Sequence, residues 1–287
     1  MGGRSAWSRT DDRCAEQTYS NCELLLVDNG LDHPLPPWFV DTQKIKVIQE
    51  ARSGPSPARN AGISAALGSY VAFLDDDDRW LPHKLDVQVR ALQSSPEASL
   101  CSGDLNMIDE AGDVIGSNIT LARSYETVLR TGWGFMPSTM MCALELVRSV
   151  GSFDESRRFV EDLDLCIRVL DVGPALVLGE VLADYRRHTG NSSRDYQGMN
   201  RASCELLRIE RRRAVSERRM DRVLYSLRGE WVTRFVWGKV AFRCAGEAAN
   251  ARAPFREVAA HLLLGLRLNP LAAPAFILQL KQKRALR

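Results

Sequence analysis

The chain has no Cys-x-x-Cys pair, and its seven cysteines are an odd number scattered along the sequence, several of them in apolar runs. That pattern excludes the common zinc frameworks and a disulfide scaffold. It predicts reduced, core-lying thiols in a cytosolic protein. Residues Met1 to Arg13 hold no apolar run, so no secretory signal is legible there. Met1-Gly2 opens like a myristoylation site, but Ala6 stands where Ser or Thr is required. The longest apolar stretch, Leu262 to Leu280, is broken by Arg267, Asn269 and two prolines, which makes it a poor membrane-spanning helix. Internal repeats and long linkers are missing. So is any Gly-x-x-x-x-Gly-Lys-[Ser/Thr] segment, which removes a P-loop ATPase from consideration. No Gly-rich phosphate loop with a lysine near the first strand is present either, which counts against a nucleotidyltransferase.

What remains is a chain of 287 residues, 45% hydrophobic, enough for one large α/β domain and a smaller appendage. The net charge of +2 conceals a division. Residues 201–287 carry 19 Lys/Arg against 7 Asp/Glu, and the first 200 carry 19 against 29. An acidic front suits a site for a divalent cation. A basic rear suits an anionic partner such as a membrane surface, and solvated Arg-rich helical faces explain it equally well. Nothing in the pattern calls for nucleic acid.

Short apolar runs at Leu24–Val27, Ile45–Ile48 and Tyr70–Leu74 predict strands, each bounded by turn residues. Pro34, Pro36 and Pro37 predict a loop between the first two. Ala58 to Leu67 has helical composition with Pro57 as its lead-in, and Pro82 opens a helix with Leu85, Val89 and Leu92 near one face. Strands alternating with helices predict an α/β fold with a mostly parallel sheet flanked by helices. Beyond residue 95 the pattern loosens. Ser138–Leu144 reads as a strand, and Leu163, Ile167 and Leu170 fall on one helical face. From about Arg201 the chain reads as helix, with breaks near Gly246, Pro254 and Pro270. The expected division is 1–198 for the α/β part and 199–287 for a basic helical region.

Five segments carry candidate chemistry. The run Asp75-Asp76-Asp77-Asp78 follows Val71-Ala72-Phe73-Leu74. Adjacent carboxylates at the end of a buried strand repel one another and are costly to keep ionised without a cation. Oxygen ligands suit Mg²⁺ or Mn²⁺, and such an ion can bridge two phosphates and neutralise a leaving diphosphate. An exposed acidic turn, with Asp78 capping the following helix, is the plain alternative. Asp28-Asn29-Gly30 ends the first strand, where open α/β sheets bind nucleotides, or is an ordinary Asn-Gly turn. Arg59 and Asn60 open a helix, whose first turn can face a diphosphate, or Arg59 is a surface residue. Glu161 and Asp162 start another helix, favoured there by its dipole; the functional reading makes Asp162 a general base. His188, in a polar loop, is a candidate metal or phosphate contact, or simply solvated.

In this order the segments resemble family 2 glycosyltransferases of the GT-A fold, over roughly residues 14–195. The matching stretches are Gln17 to Glu23, Val27-Asp28-Asn29-Gly30, Gly54 to Gly62, Phe73 to Pro82, Val150 to Glu155 and Glu161-Asp162-Leu163-Asp164-Leu165. The resemblance implies a GT-A-like domain over 1–198 in which Asp28 and Asn29 contact the base and ribose of a nucleoside diphosphate sugar. Arg59 faces the diphosphate. Asp75 and Asp77 form an Asp-x-Asp motif, with Asp77 the foremost metal ligand and Asp75 and His188 beside it. Asp162, next to Glu161, is the base of a single-displacement, inverting transfer to an acceptor hydroxyl. The family commonly has Asp where Asn29 stands; an Asn carbonyl still accepts from a uracil or thymine N3–H, which leaves UDP and dTDP both open. The Gln-x-x-Arg-Trp motif of processive synthases is missing, which implies transfer of a single sugar. The implied acceptor is a glycan or lipid-linked precursor of a surface polysaccharide, met at the inner membrane face by a cytoplasmic, peripheral enzyme. One departure stands out. Family members begin with an apolar strand that lies between the strands at 24–27 and 70–74, and Met1 to Arg13 supplies none. A truncated, non-catalytic nucleotide-binding relative is the alternative that this departure favours.

Overall fold

The structure is a computed structural model that describes residues 16–30, 45–120, 124–188, 190–191, 195–251 and 253–270. The N-terminal segment Met1 to Arg13, the loop at Pro34 to Pro37 and the apolar residues from Leu271 onward lie outside the described residues. The chain divides into two compact units. One is Met1–Val128 with Trp133–Asn191, and the other is Leu129–Gly132 with Ser192–Arg287.

The first unit holds two sheets. Strands β1 (Leu24–Asp28) and β2 (Ile45–Gln49) pair in parallel, with Leu24 opposite Ile45 and Asp28 opposite Gln49. Helix α1 (Pro55–Ala65) follows, with proline in its first turn, where the missing N–H is no loss. It lies on β1 where Gly62 meets Val27. The second sheet is built from β3 (Tyr70–Ala72), β4 (Arg79–Trp80), β5 (Leu100–Ile108), β6 (Val114–Asn118), β7 (Met141–Ala143) and β8 (Ala175–Arg186). Their order is β3-β7-β5-β8-β4, with β6 paired to β5. Helix α2 (Lys84–Ser94) buries Leu85, Val89 and Leu92 against Trp80, Cys101, Met141 and Ala183. Three shorter helices follow in the chain: α3 (Tyr125–Thr131), α4 (Leu144–Ser149) and α5 (Glu161–Leu170). Cys101, Cys142 and Cys166 are free and buried, and burial pushes the Cys101 thiol up to about 11 and Cys142 up to about 12. These thiols are inert core residues.

The α/β class holds, but the larger sheet is mixed where a mostly parallel one is expected. Among the described residues only β1–β2 and β5–β8 pair in parallel; β3–β7, β5–β7, β5–β6 and β4–β8 are antiparallel. The strand–helix alternation that predicts parallel pairing stops at α2. Beyond it, β5 turns back as a hairpin into β6, and β7 inserts between β3 and β5. The expected strand at 138–144 is likewise divided. Pro137–Thr139 forms one 3₁₀ turn, and only Met141–Ala143 extends. Among the described residues β1 pairs with β2 and β3 with β7, and no ladder joins the two sheets.

The second unit is helical. Asp195 caps α6 (Tyr196–Ser216) by accepting from the Gly198 N–H at 2.9 Å. Helix α7 (Met220–Asn250) runs through the expected break at Gly246, and α8 (Phe255–Leu268) follows Pro254. Glycine costs about 1 kcal/mol inside a helix but does not end one. Gly229 of α7 has a reason to be glycine: a Cβ there would sit 1.9 Å from the Leu129 carbonyl oxygen. Glu230 gathers Arg208, Arg211 and Arg234 at 2.6–3.0 Å, so part of the basic charge of this unit is internally paired. Phe255, Leu263 and Leu266 of α8 are exposed. No described helix is long and apolar enough to cross a membrane.

Candidate active site

The acidic run leaves β3 and turns sharply before β4: the Asp78 N–H donates to the Asp75 carbonyl at 3.1 Å. The four carboxylates part company in this turn. Asp78 is buried and is no helix cap, because α2 begins later, at Lys84, behind His83. Its Oδ2 accepts from the Ser138 hydroxyl at 2.6 Å and its Oδ1 from the Arg186 N–H at 3.0 Å. Burial pushes the Asp78 carboxyl up to about 8, with Asp75 adding and the Ser138 and Arg186 bonds opposing. Burial also raises Asp76, with Asp77 and Asp75 adding to it.

Asp77 turns to the other side. Its Oδ2 lies 2.8 Å from His188 Nε2 and 3.4 Å from Asn191 Nδ2. His188 Nδ1 accepts from the Gly190 N–H at 3.0 Å, so the ring proton belongs on Nε2, which donates to Asp77. Arg186 secures the same turn through its Nε, which donates to the Asp77 carbonyl at 2.9 Å. Asp75 points elsewhere: its Oδ1 is 2.6 Å from Arg59 Nη2.

Arg59 thus sits between two acidic groups, with Asp75 on one side and Glu161 Oε1 at 3.6 Å on the other. Its side chain is only 13% exposed, and its guanidinium lies 5.2 Å from the Phe153 ring. Burial works against its charge, yet Asp75, Glu161 and Asp162 together outweigh it and hold its pKa above the ordinary value. Arg59 is therefore an internal link rather than a surface residue. Its neighbour Asn60 fixes the 153–155 loop, accepting from the Phe153 N–H at 2.9 Å and donating to the Phe153 carbonyl and Glu155.

Asp162 starts α5 as the sequence predicts. Burial pushes its carboxyl up to about 7; Glu161 adds to this, while the Leu163 N–H and Arg59 pull the other way. A carboxylate tuned to that range suits proton transfer near neutral pH. Two residues before the helix, Phe159 holds φ +73°, an uncommon backbone conformation for an aromatic residue. Such strain costs on the order of 1–3 kcal/mol and gathers at functional sites. At the end of β1, the Asn29 amide donates to the Gly54 carbonyl at 2.7 Å. The Asp28 carboxylate accepts from the Gly30 N–H at 3.3 Å.

The structure therefore brings Asp75, Arg59, Glu161 and Asp162 into one electrostatic group, and Asp77 and His188 into another. Among the described residues no three His, Cys, Asp or Glu side chains converge as a cation-holding group. Asp77 and His188 still fit a hard cation in the manner of Mg²⁺, which uses one or two protein ligands and takes the rest from phosphates and water. His188 would ligate only after giving up its Nε2 proton. Asp75, tied to Arg59, stands apart from that pair. Ser138, Arg186 and Asn191 shape the site and were not singled out in the sequence. Ser138 lies 60 residues from Asp78 and Arg186 lies 108, and no local pattern marks such partners.

Residues 8–142 match the model of glycosyl transferase family 2. An uncharacterized glycosyltransferase of Nostoc sp. is 28% identical over 271 residues, covering 80% of this chain and 82% of the relative. The pre-mycofactocin glycosyltransferase of Mycobacterium tuberculosis is 33% identical over 166 residues, covering 53% of this chain and 35% of that protein, so this chain spans about a third of its length. Among solved structures, TarS of S. aureus in complex with UDP-GlcNAc is similar in fold, with a TM-score of 0.52 at 15% identity, covering 70% of this chain and 63% of the other.

Proposed function

The chain is a family 2 glycosyltransferase, and from that premise we propose that it moves one sugar from a UDP- or dTDP-sugar to an acceptor hydroxyl with inversion at the sugar carbon. The observation that carries the reading is the Asp162 carboxyl, pushed up by burial to about 7 next to Glu161, which Arg59 bridges to Asp75. One guanidinium joins the end of the acidic strand to the start of the base's helix.

The roles follow from chemistry. Asn29 offers a carbonyl oxygen to the N3–H of a uracil or thymine, and Asp28 offers carboxylate oxygens to a ribose hydroxyl. Asp162 removes the proton from the acceptor hydroxyl as that oxygen attacks, and Glu161 holds Arg59 in place. Asp77 and His188 would hold Mg²⁺ or Mn²⁺. When bound, the ion supplies positive charge against the departing diphosphate. The solved complex of TarS with UDP-GlcNAc supports a nucleotide sugar as the donor class.

The acceptor is proposed as a glycan or lipid-linked precursor, presented at an anionic inner membrane face to which the basic second unit docks. The exposed apolar side chains Phe255, Leu263 and Leu266 of α8, with Arg256 and Arg267 on the same helix, support this part. A non-catalytic nucleotide-binding protein is the competing reading, and loss of sugar transfer in Asp162→Asn with donor affinity kept would separate the two. The test is a calorimetric titration with UDP, dTDP, GDP and ADP, each with and without Mn²⁺. Binding of UDP or dTDP that tightens with Mn²⁺ supports the proposal. Equal, weak binding of all four regardless of metal overturns it.

A further inference from the structure

Three of the site's hydrogen bonds meet at one residue. Ser138, in the 3₁₀ turn Pro137–Thr139, is 2% exposed. Its hydroxyl donates to Asp78 Oδ2 at 2.6 Å and accepts from the Asp75 N–H at 3.2 Å. Its carbonyl accepts from the Trp80 indole N–H at 2.8 Å. Ser138 thus touches Asp75, Asp78 and Trp80, which span the whole acidic turn, while staying almost entirely out of solvent.

The 3₁₀ turn is itself held from below. Gln88 Nε2 donates to the carbonyls of Thr139 at 2.9 Å and Cys101 at 3.0 Å, and its Oε1 accepts from Lys84 Nζ at 2.6 Å. The Thr139 and Ser102 hydroxyls lie 2.8 Å apart. Gln88, Lys84, Ser102 and Thr139 are all buried. A buried, satisfied polar network of this kind is rigid and specifies one arrangement. Ser138 is the only residue of this network whose side chain reaches the acidic run.

We propose that Ser138 is a positioning residue for the donor site: it fixes the backbone at Asp75 against the buried Asp78 and so sets the spacing at which Asp75 and Asp77 leave β3. The inference rests on the donor-site reading above. Four adjacent aspartates have no intrinsic reason to point in three directions; mutual repulsion would spread them into the solvent. The Ser138 hydroxyl is the one group that both receives the main chain of the first and binds the side chain of the fourth. It holds the turn closed, with Asp77 left at its apex, facing His188.

The experiment measures UDP affinity with and without Mn²⁺ for the wild-type chain and for Ser138→Ala, together with thermal melting of each. A positioning role predicts that Ser138→Ala weakens UDP binding in Mn²⁺ by about ten- to a hundredfold, as loss of an orienting group beside a metal ligand does. It predicts little change without Mn²⁺ and a melting shift of about a few degrees at most. A purely structural role moves the melt and leaves the gain from Mn²⁺ intact, and that result overturns the inference. Should Ser138→Ala not fold, Ser138→Cys keeps the volume while weakening both bonds, and the same comparison applies. If the wild-type chain binds neither UDP nor dTDP under any condition, the donor reading fails and this inference falls with it. If the wild type binds with a gain from Mn²⁺ that Ser138→Ala retains in full, only this inference falls.

Discussion

Asp77 and His188 stand 111 residues apart in the chain, and their side chains meet at 2.8 Å, with the imidazole proton directed at the carboxylate. A ring whose other nitrogen already accepts from Gly190 can only be a donor here while it is neutral. A divalent cation and this proton compete for the same place.

Asp77→Ala should therefore remove most of the gain in UDP or dTDP affinity that Mn²⁺ confers. His188→Ala should reduce the gain by a smaller factor, on the order of tenfold, since it removes one ligand and leaves the carboxylate. Calorimetry in Mn²⁺ and in EDTA reads both. An affinity that EDTA leaves unchanged in the wild type would show that no metal assists the donor.

Asp162 should act in its ionised form. Its pKa is raised to about 7, so the base is disabled as pH falls through that value, and kcat/KM should drop tenfold per unit below it. Asp162→Asn should keep donor affinity and lose roughly 10²–10⁴ in transfer. Stability should move the other way. The folded state binds this proton between about pH 4 and 7 and the unfolded chain does not, so stability falls as pH rises across that interval. Asp162→Asn should accordingly melt higher than the wild type at pH 8. A pH profile unchanged by the substitution would mean another base.

Arg59→Met should destabilise the first unit. It leaves Asp75 and Glu161 without their shared cation in a partly buried place. Breaking one side of a buried pair costs about 3–5 kcal/mol, and the 32% exposure of Asp75 argues for the lower end or less, roughly 2 kcal/mol. Urea unfolding at pH 7 measures it.

Gly229→Ala should unfold the helical unit more readily, since its methyl would overlap the Leu129 carbonyl, whereas Leu224→Ala, at an exposed position of the same helix, should be nearly neutral. A cost of about 1–3 kcal/mol is expected for the first substitution from overpacking. Helical circular dichroism during thermal melting distinguishes the two.

Vesicle co-sedimentation at low salt should show a preference for anionic over neutral lipid, weakened by Leu263→Glu and by raised salt. Equal sedimentation with both lipids would remove the membrane from the proposed acceptor route.

How much of this was legible in the sequence depends on distance along the chain. The helix start at Glu161-Asp162, the helix carrying Leu85, Val89 and Leu92, and the strand leading into Asp75 are local patterns, and they appear where expected. The long strands β5 and β8 were missed, because their apolar residues do not alternate and their pairing is across more than seventy residues. Asp78 was misread for the same reason. A carboxylate two residues after Asp76 and four before Pro82 looks like a helix cap, and only the fold brings Ser138 and Arg186 to it. Arg59 was recognised as important, but a sequence gives no sign that a first-turn arginine is held inward by two acids from different elements.

The two sheets of the first unit share no described ladder, and side chains do the joining: Glu23 accepts from the N–H groups of Leu67 and Gly68, and Arg59 and Asn60 reach from α1 to the residues around Asp75 and Phe153. In amide hydrogen exchange this predicts two families of protons. Those of β5, β7 and β8 should exchange only when the unit opens as a whole. Those of β1 and β2 should exchange sooner, through a smaller opening that parts the ribbon from its side-chain fastenings and leaves the larger sheet intact. The half of the site built around Asn29 would then breathe on its own clock, apart from the half built around Asp162.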